Sequence, residues 1–173
     1  MITPSWVRAM AAYNAEMNRR WYAAAESLPD ERRREPAGAF FGSLHGTLSH
    51  LLWADHMWMS RFDGWERPSV AIADSGAFEP DWSELARRRV EADARILAWA
   101  ARLGGEDLAG ELTWFSGAAR REMTRPRWLL VGHMFNHQTH HRGQAHALLT
   151  RFGAATGATD LPWVITAADW AAD

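Results

Sequence analysis

Leu44-His45-Gly46-Thr47-Leu48-Ser49-His50-Leu51-Leu52-Trp53-Ala54-Asp55-His56-Met57-Trp58-Met59 places apolar side chains on nearly every face of a helix. A helix without a wide polar face is buried by neighbours on more than one side. The pattern predicts a helix from about Phe40 to Asp63, with Gly64 at the C′ position. It also predicts that other helices surround it.

Three such partners are legible. The first runs from about Thr3 to Ser27, with Thr3 as N-cap, Pro4 at the first helical position, and Val7, Met10, Ala11, Met17 and Trp21 at helical spacing. Leu28-Pro29-Asp30 stops it, and Glu31 to Pro36 reads as a polar linker. The third helix opens on a capping box, Asp81-Trp82-Ser83-Glu84, and ends at Gly104-Gly105. Its Arg87-Arg88-Arg89 run reads as a solvated face. The fourth extends from near Pro126 through Phe152, with Gly153 closing it. Between helices three and four, Glu111 to Phe115 and Ala119 to Met123 flank Ser116-Gly117 as a short β-hairpin.

The expected fold is therefore all-α, a four-helix bundle. The stretch from Gly64 to Pro80 can span the ~36 Å of the second helix, so helices two and three can run parallel through a long crossover. Residues 1–173 read as one domain, with residues 154–173 as a tail that folds back or meets another copy; it holds Trp163 and Trp170.

Composition narrows the chemistry. The 173 residues are 47% hydrophobic and 23% charged, with a net charge of −2, so no basic field exists to attract nucleic acid or anionic lipid. There is no cysteine, which removes disulfides, thiolate metal sites and a cysteine nucleophile. All 19 basic residues are arginine, which removes Schiff-base and phosphate-binding lysines. No run is long and apolar enough for a membrane span, and Met1 to Trp6 lack the features of a secretory signal. No membrane and no nucleic-acid partner is expected, and the cytoplasm is the expected location.

All eight histidines fall in two windows: His45, His50 and His56 on the second helix, and His133, His137, His140, His141 and His146 on the fourth. Residues four apart lie ~40° apart around a helix and one turn along it. Two such registers exist, His133/His137 and His137/His141, and either offers two imidazoles to a divalent metal; a third from the second helix would complete a set. A lone helical histidine is more often a surface or core residue. Five within fourteen residues, opposite three on a buried helix, point to a metal instead, because desolvating so many rings without a partner costs several kcal/mol. His-Glu-x-x-His and the Glu-x-x-His pairs of di-iron bundles are both absent, which leaves a mononuclear site. Gly42-Ser43-Leu44 lacks the strand and second glycine of a nucleophile elbow.

Phe40-Phe41-Gly42-Ser43-Leu44-His45-Gly46-Thr47-Leu48-Ser49-His50-Leu51-Leu52-Trp53-Ala54-Asp55 and His133-Met134-Phe135-Asn136-His137-Gln138-Thr139-His140-His141-Arg142-Gly143-Gln144 resemble the two signature helices of the DinB (damage-inducible, YfiT-like) family. The resemblance extends over most of the chain in helix order. It implies up-down-down-up topology, a homodimer, and a divalent metal held by three histidines, here His50, His137 and His141. The family is similar to thiol-dependent enzymes, namely mycothiol-dependent maleylpyruvate isomerase and bacillithiol S-transferases. The implied activity is a thiol S-transferase acting on small electrophiles with a low-molecular-weight thiol. The alternatives are a metal-dependent hydrolase and a non-catalytic, stress-associated dimer.

Three neutral imidazoles suit zinc or nickel first, with iron or copper next, and leave positions for water or substrate. Occupancy is expected to fall below about pH 6, where free imidazole protonates. Asp55, inside an apolar helix, and Arg142, directly after His141, are expected to pair with each other or to support a ligand histidine, unless Arg142 reaches solvent. His133 is expected to line the pocket and His140 to point away. His45, His56 and His146 read as structural, and Trp21, Trp53, Trp58 and Trp128 as packing. No catalytic residue is assigned.

Overall fold

Thr3 accepts a hydrogen bond from the Trp6 amide at 3.1 Å and opens α1, Pro4–Glu26, with Pro4 in the first turn as expected. The computed structural model describes residues 2–117 and 119–171. Met1, Ala118, Ala172 and Asp173, the last two from the expected tail, lie outside the described residues.

The expected polar linker instead contains a short helix, α2 (Asp30–Arg34), because Arg33 folds inward and donates to the carbonyls of Leu28 and Ala25. Helix α3 spans Leu44–Phe62, starting four residues later than the sequence predicts. Ser43 caps it by accepting from the Gly46 amide, and the residues before it form a tight turn in which Gly42 has φ +79°. Fourteen of its 19 residues are buried, which is the all-round burial expected of the central helix. Helix α4 spans Trp82–Ala101. Only half of its capping box forms. Asp81 accepts from the Glu84 amide, but the Glu84 carboxylate turns outward to Arg87. A hairpin of β1 (Glu111–Ser116) and β2 (Arg121–Pro126) precedes α5, Arg127–Arg151, with the second strand starting two residues later than expected. The tail carries α6, Leu161–Val164, and folds back on α1, with the Tyr13 hydroxyl donating to the Thr159 carbonyl at 2.6 Å. Trp163 stays 80% exposed.

Side-chain pairs give the helix directions. Tyr22 of α1 stacks on Trp82 of α4, and Asn18 bonds Asp93, so α1 and α4 run antiparallel. His45 faces Trp82 and Phe62 faces Trp99, so α3 and α4 run parallel. His50 meets His137 while Trp58 meets His133, so α3 and α5 are antiparallel; Trp6–Phe135 and Trp21–His146 make α1 and α5 parallel. This is the up-down-down-up four-helix bundle, with its long crossover between α3 and α4. That crossover is more than a strap. Its 3₁₀ turn, Ile72–Ala77, packs along α3 and buries Ser75. The core is filled by Val7, Met17, Leu44, Leu48, Leu52, Leu85, Phe135 and Leu149, all nearly inaccessible, each contributing roughly 1.5–3 kcal/mol by burial. No described helix is long and apolar enough to cross a membrane.

Arg87-Arg88-Arg89 departs from its reading as a solvated face. Arg87 is exposed, but Arg89 is only 2% exposed and donates to Asp55 at 2.6 Å, with Asp93 at 2.9 Å on its other nitrogen. Gln138 of α5 donates to Asp55 at 2.5 Å and Asn18 of α1 donates to Asp93 at 2.9 Å, so one polar network ties all four bundle helices. Burial pushes the Asp93 carboxyl up to about 6 against the opposing pull of Arg89 and Asn18.

Candidate metal centre

His50 on α3 and His137 and His141 on α5 converge, with one ring nitrogen of each within 4.8 Å of the others. Of the two registers open from spacing, His137/His141 is therefore the one that meets His50. Ring centres are 5.1 Å apart for His50–His137, 4.7 Å for His50–His141 and 4.4 Å for His137–His141. The Nε2 atoms of His50 and His137 lie 3.2 Å apart.

The surroundings set which nitrogen of each ring is free. The Ser75 hydroxyl donates to the Ile72 carbonyl at 2.7 Å, so its oxygen accepts from His50 Nδ1–H at 2.8 Å. His50 Nε2 is then an unprotonated lone pair facing its neighbours. His141 Nδ1 donates to the Gln144 amide oxygen at 2.9 Å, which leaves its Nε2 lone pair free as well. Phe41 lies flat on the His50 ring at 3.7 Å between centres and edge-on to His141, fixing both orientations. That contact requires Gly46. A Cβ there would sit 2.3 Å from the Phe41 carbonyl oxygen.

Burial holds His50 and His137 far below the usual histidine range, at about 3, with the neighbouring imidazoles adding to the effect; burial lowers His141 too, against the Gln144 bond. The rings are thus uncharged at neutral pH, the form in which imidazole ligates a metal. Desolvation moves the protonation of the metal-free rings below that of free imidazole. The His50–His137 pair matches the spacing of two ligands on one ion. Zinc–nitrogen bonds of 2.0–2.1 Å at tetrahedral angles put ligand nitrogens about 3.3 Å apart, close to the observed 3.2 Å.

The cluster lies between two cavities. One, about 670 Å³, is lined by His50, His137 and His133 together with Trp53, Trp58 and Trp114. The other, about 410 Å³, is lined by Phe41, His140 and all three rings of the cluster. His133 is among the residues lining the larger cavity. His140 is exposed yet borders the smaller cavity and accepts from the Gln144 amide, so it does not simply point away.

The pairing expected between Asp55 and Arg142, or between Asp55 and a ligand histidine, does not form. Asp55 is taken by Arg89 and Gln138, an arginine that spacing read as solvent-facing. Arg142 neither pairs with Asp55 nor reaches solvent. It is 2% exposed, donates to the Thr139 hydroxyl at 3.3 Å, and lies over Tyr13 and Trp21 on the α1 side of α5. Burial lowers its pKa to about 10, with Tyr13, Asp55 and Asp93 pulling the other way. His45, His56 and His146 stand outside the three-histidine cluster, each with its own packing or hydrogen-bond partner. His45 reaches the Glu79 carbonyl, His146 bonds Thr156 and stacks on Trp21, and His56 packs on Trp65 and Phe78. Ser75 and Gln144 carried no signal of their own, since each matters only through a histidine it meets in the fold.

No curated protein matches the sequence. Among solved structures, YfiT from Bacillus subtilis, described as a probable metal-dependent hydrolase with an unusual four-helix bundle topology, superposes with a TM-score of 0.62. The match covers 90% of this chain and 92% of that one at 16% identity, a likeness of fold. The model of the DinB family matches residues 1–172, nearly the whole sequence read above. The chain belongs to the DinB family.

Proposed function

We propose that this protein is a divalent-metal-dependent enzyme in which His50, His137 and His141 hold the ion and the cavity beside them receives a small-molecule substrate. The observation that carries this reading is the set of three converging, uncharged imidazoles, two of them with lone pairs freed by Ser75 and Gln144. Zinc and nickel suit the donor set best. Such an ion, when bound, lowers the pKa of a thiol or water held beside it. This chain's own residues then orient and shield. Ser75 and Gln144 hold the ring tautomers, Phe41 covers one side of His50, and Trp53 and Trp58 keep the other side apolar.

We favour transfer of a low-molecular-weight thiol to a small electrophile. Neither cavity has an aspartate or glutamate among its lining residues to act as general base toward water. Hydrolysis is the second reading. It rests on the likeness to YfiT and on His133, whose ring lies 5.9 Å from that of His137 and lines the larger cavity as a base. The proposal takes the chain as one cytoplasmic domain that pairs as a homodimer. The test is zinc- or nickel-reconstituted protein with an aryl halide and a panel of small thiols, followed by thiol consumption, beside an activated ester without thiol. Thiol-dependent turnover that a chelator abolishes is expected. Chelator-sensitive ester cleavage without thiol would select hydrolysis, and turnover in neither assay would contradict an enzymatic role.

A further inference from the structure

The larger cavity does not end at the histidines. It follows α3 as far as Arg61, and Arg67 from the crossover stands at its rim. Residues eleven apart on a helix return to within about 20° of one face, three turns and roughly 16 Å along the axis. His50 and Arg61 therefore look into one trough from opposite ends. Between them Trp53, Trp58 and, from the hairpin, Trp114 supply the walls.

Arg61 is placed unlike the other inward-turned arginines. Arg88 has Glu79 at 2.9 Å, Arg89 has Asp55, and Arg33 has two carbonyls. Half-buried Arg61 has no hydrogen bond or ion pair among the described residues. Its guanidinium lies 4.5 Å from the centre of the Trp58 ring and 5.9 Å from that of Trp114. No acid lines the cavity, and burial together with the charge of Arg67 brings Arg61 down to about 10. Two cations facing an apolar-walled cavity with no counter-charge set up a positive potential that an anion relieves.

We propose that this cavity takes an organic carboxylate, with its aromatic or apolar body against Trp53, Trp58 and Trp114 and its carboxylate on Arg61 and Arg67. A carboxylate fits better than a phosphate dianion. The planar fork of the half-buried Arg61 guanidinium matches the two oxygens of a carboxylate, and the tryptophan walls suit an apolar body that inorganic phosphate lacks. The inference deepens the reading of the histidine end as the reacting centre by naming the substrate class. The anion contact itself stands on residues three turns away.

The experiment is calorimetric titration of 3-phenylpropionate and its neutral amide, 3-phenylpropanamide, into chelator-treated and zinc-reconstituted protein. The acid is expected to bind chelator-treated protein at least about tenfold tighter than the amide. Arg61→Met should bring the acid to the level of the amide and leave the amide unchanged, and Arg67→Gln, on an exposed side chain that folding does not need, should weaken the acid severalfold. Equal binding of acid and amide, no binding of either, or acid binding only with zinc present would overturn the proposal. So would unchanged acid affinity in Arg67→Gln if Arg61→Met fails to fold. Inorganic phosphate competing as well as the acid would also overturn it, since the tryptophan walls would then add nothing. Protein that takes no zinc yet prefers the acid would keep the anion site and remove the metal reading.

Discussion

Two polar clusters lie in the same bundle, five residues apart on α3, and they handle burial in opposite ways. Around Asp55, two carboxylates (Asp55, Asp93) share the Arg89 guanidinium and accept further hydrogen bonds from Gln138 of α5 and Asn18 of α1. Around His50, three uncharged rings face one another with no counter-charge, and cavities open on both sides. The first cluster meets its main electrostatic need, two carboxylates against one shared guanidinium, inside the protein. The second leaves its own for something outside it. Buried polar groups alone do not mark a functional site; the direction of their lone pairs and charges does.

The comparison breaks most readily at Arg89. Arg89→Met leaves two buried carboxylates without their shared cation and should lower unfolding free energy by about 3–5 kcal/mol, measured in urea, while metal content per folded molecule stays unchanged. A loss of metal with little loss of stability would mean that the two clusters are one unit. Ser75→Ala gives the converse result. Removing the acceptor of His50 Nδ1–H should weaken metal affinity roughly 10–100-fold, read by competition with a chelating dye, at a stability cost of about 1 kcal/mol.

Acid sharpens the contrast further. Burial holds His50 and His137 at about 3, and holds His56 at about 4 with help from Arg88, Arg89 and Arg95, whereas unfolded histidines titrate near 6.5. Between these values the unfolded chain takes up protons that the folded chain refuses. Stability of metal-free protein is thus fully present above about pH 6.5 and declines as pH falls toward 4. Asp93, raised to about 6, works the other way, since its contribution is present below about pH 4 and lost as pH rises through 6. It is one group against six, since burial also lowers His45, His133 and His141. Urea midpoints between pH 4 and 7 check the sign, and a midpoint that rises on acidification would contradict it.

The helices were legible because caps and periodicity are local: Thr3, Asp81, Gly64 and Gly153 each end or begin an element as read. The start of α3 was misplaced because Phe40 and Phe41 continue the apolar pattern while the backbone turns at Gly42. Three converging histidines were legible as a density of one residue type on two helices. Arg89 was not, because an arginine triplet looks solvated until the fold places two carboxylates beside its third member. Ser75 was illegible for a related reason. It reaches His50 only because the crossover folds back on α3, and a linker's length says nothing of its path.

The central claim is that the uncharged cluster is the one that takes a ligand. Metal content by mass spectrometry, on untagged wild-type protein beside His137→Ala, tests it most directly. Near one equivalent of a divalent metal in wild type and almost none in the variant is the predicted result. No metal in either protein after reconstitution with zinc and nickel, or equal metal in both, would contradict it.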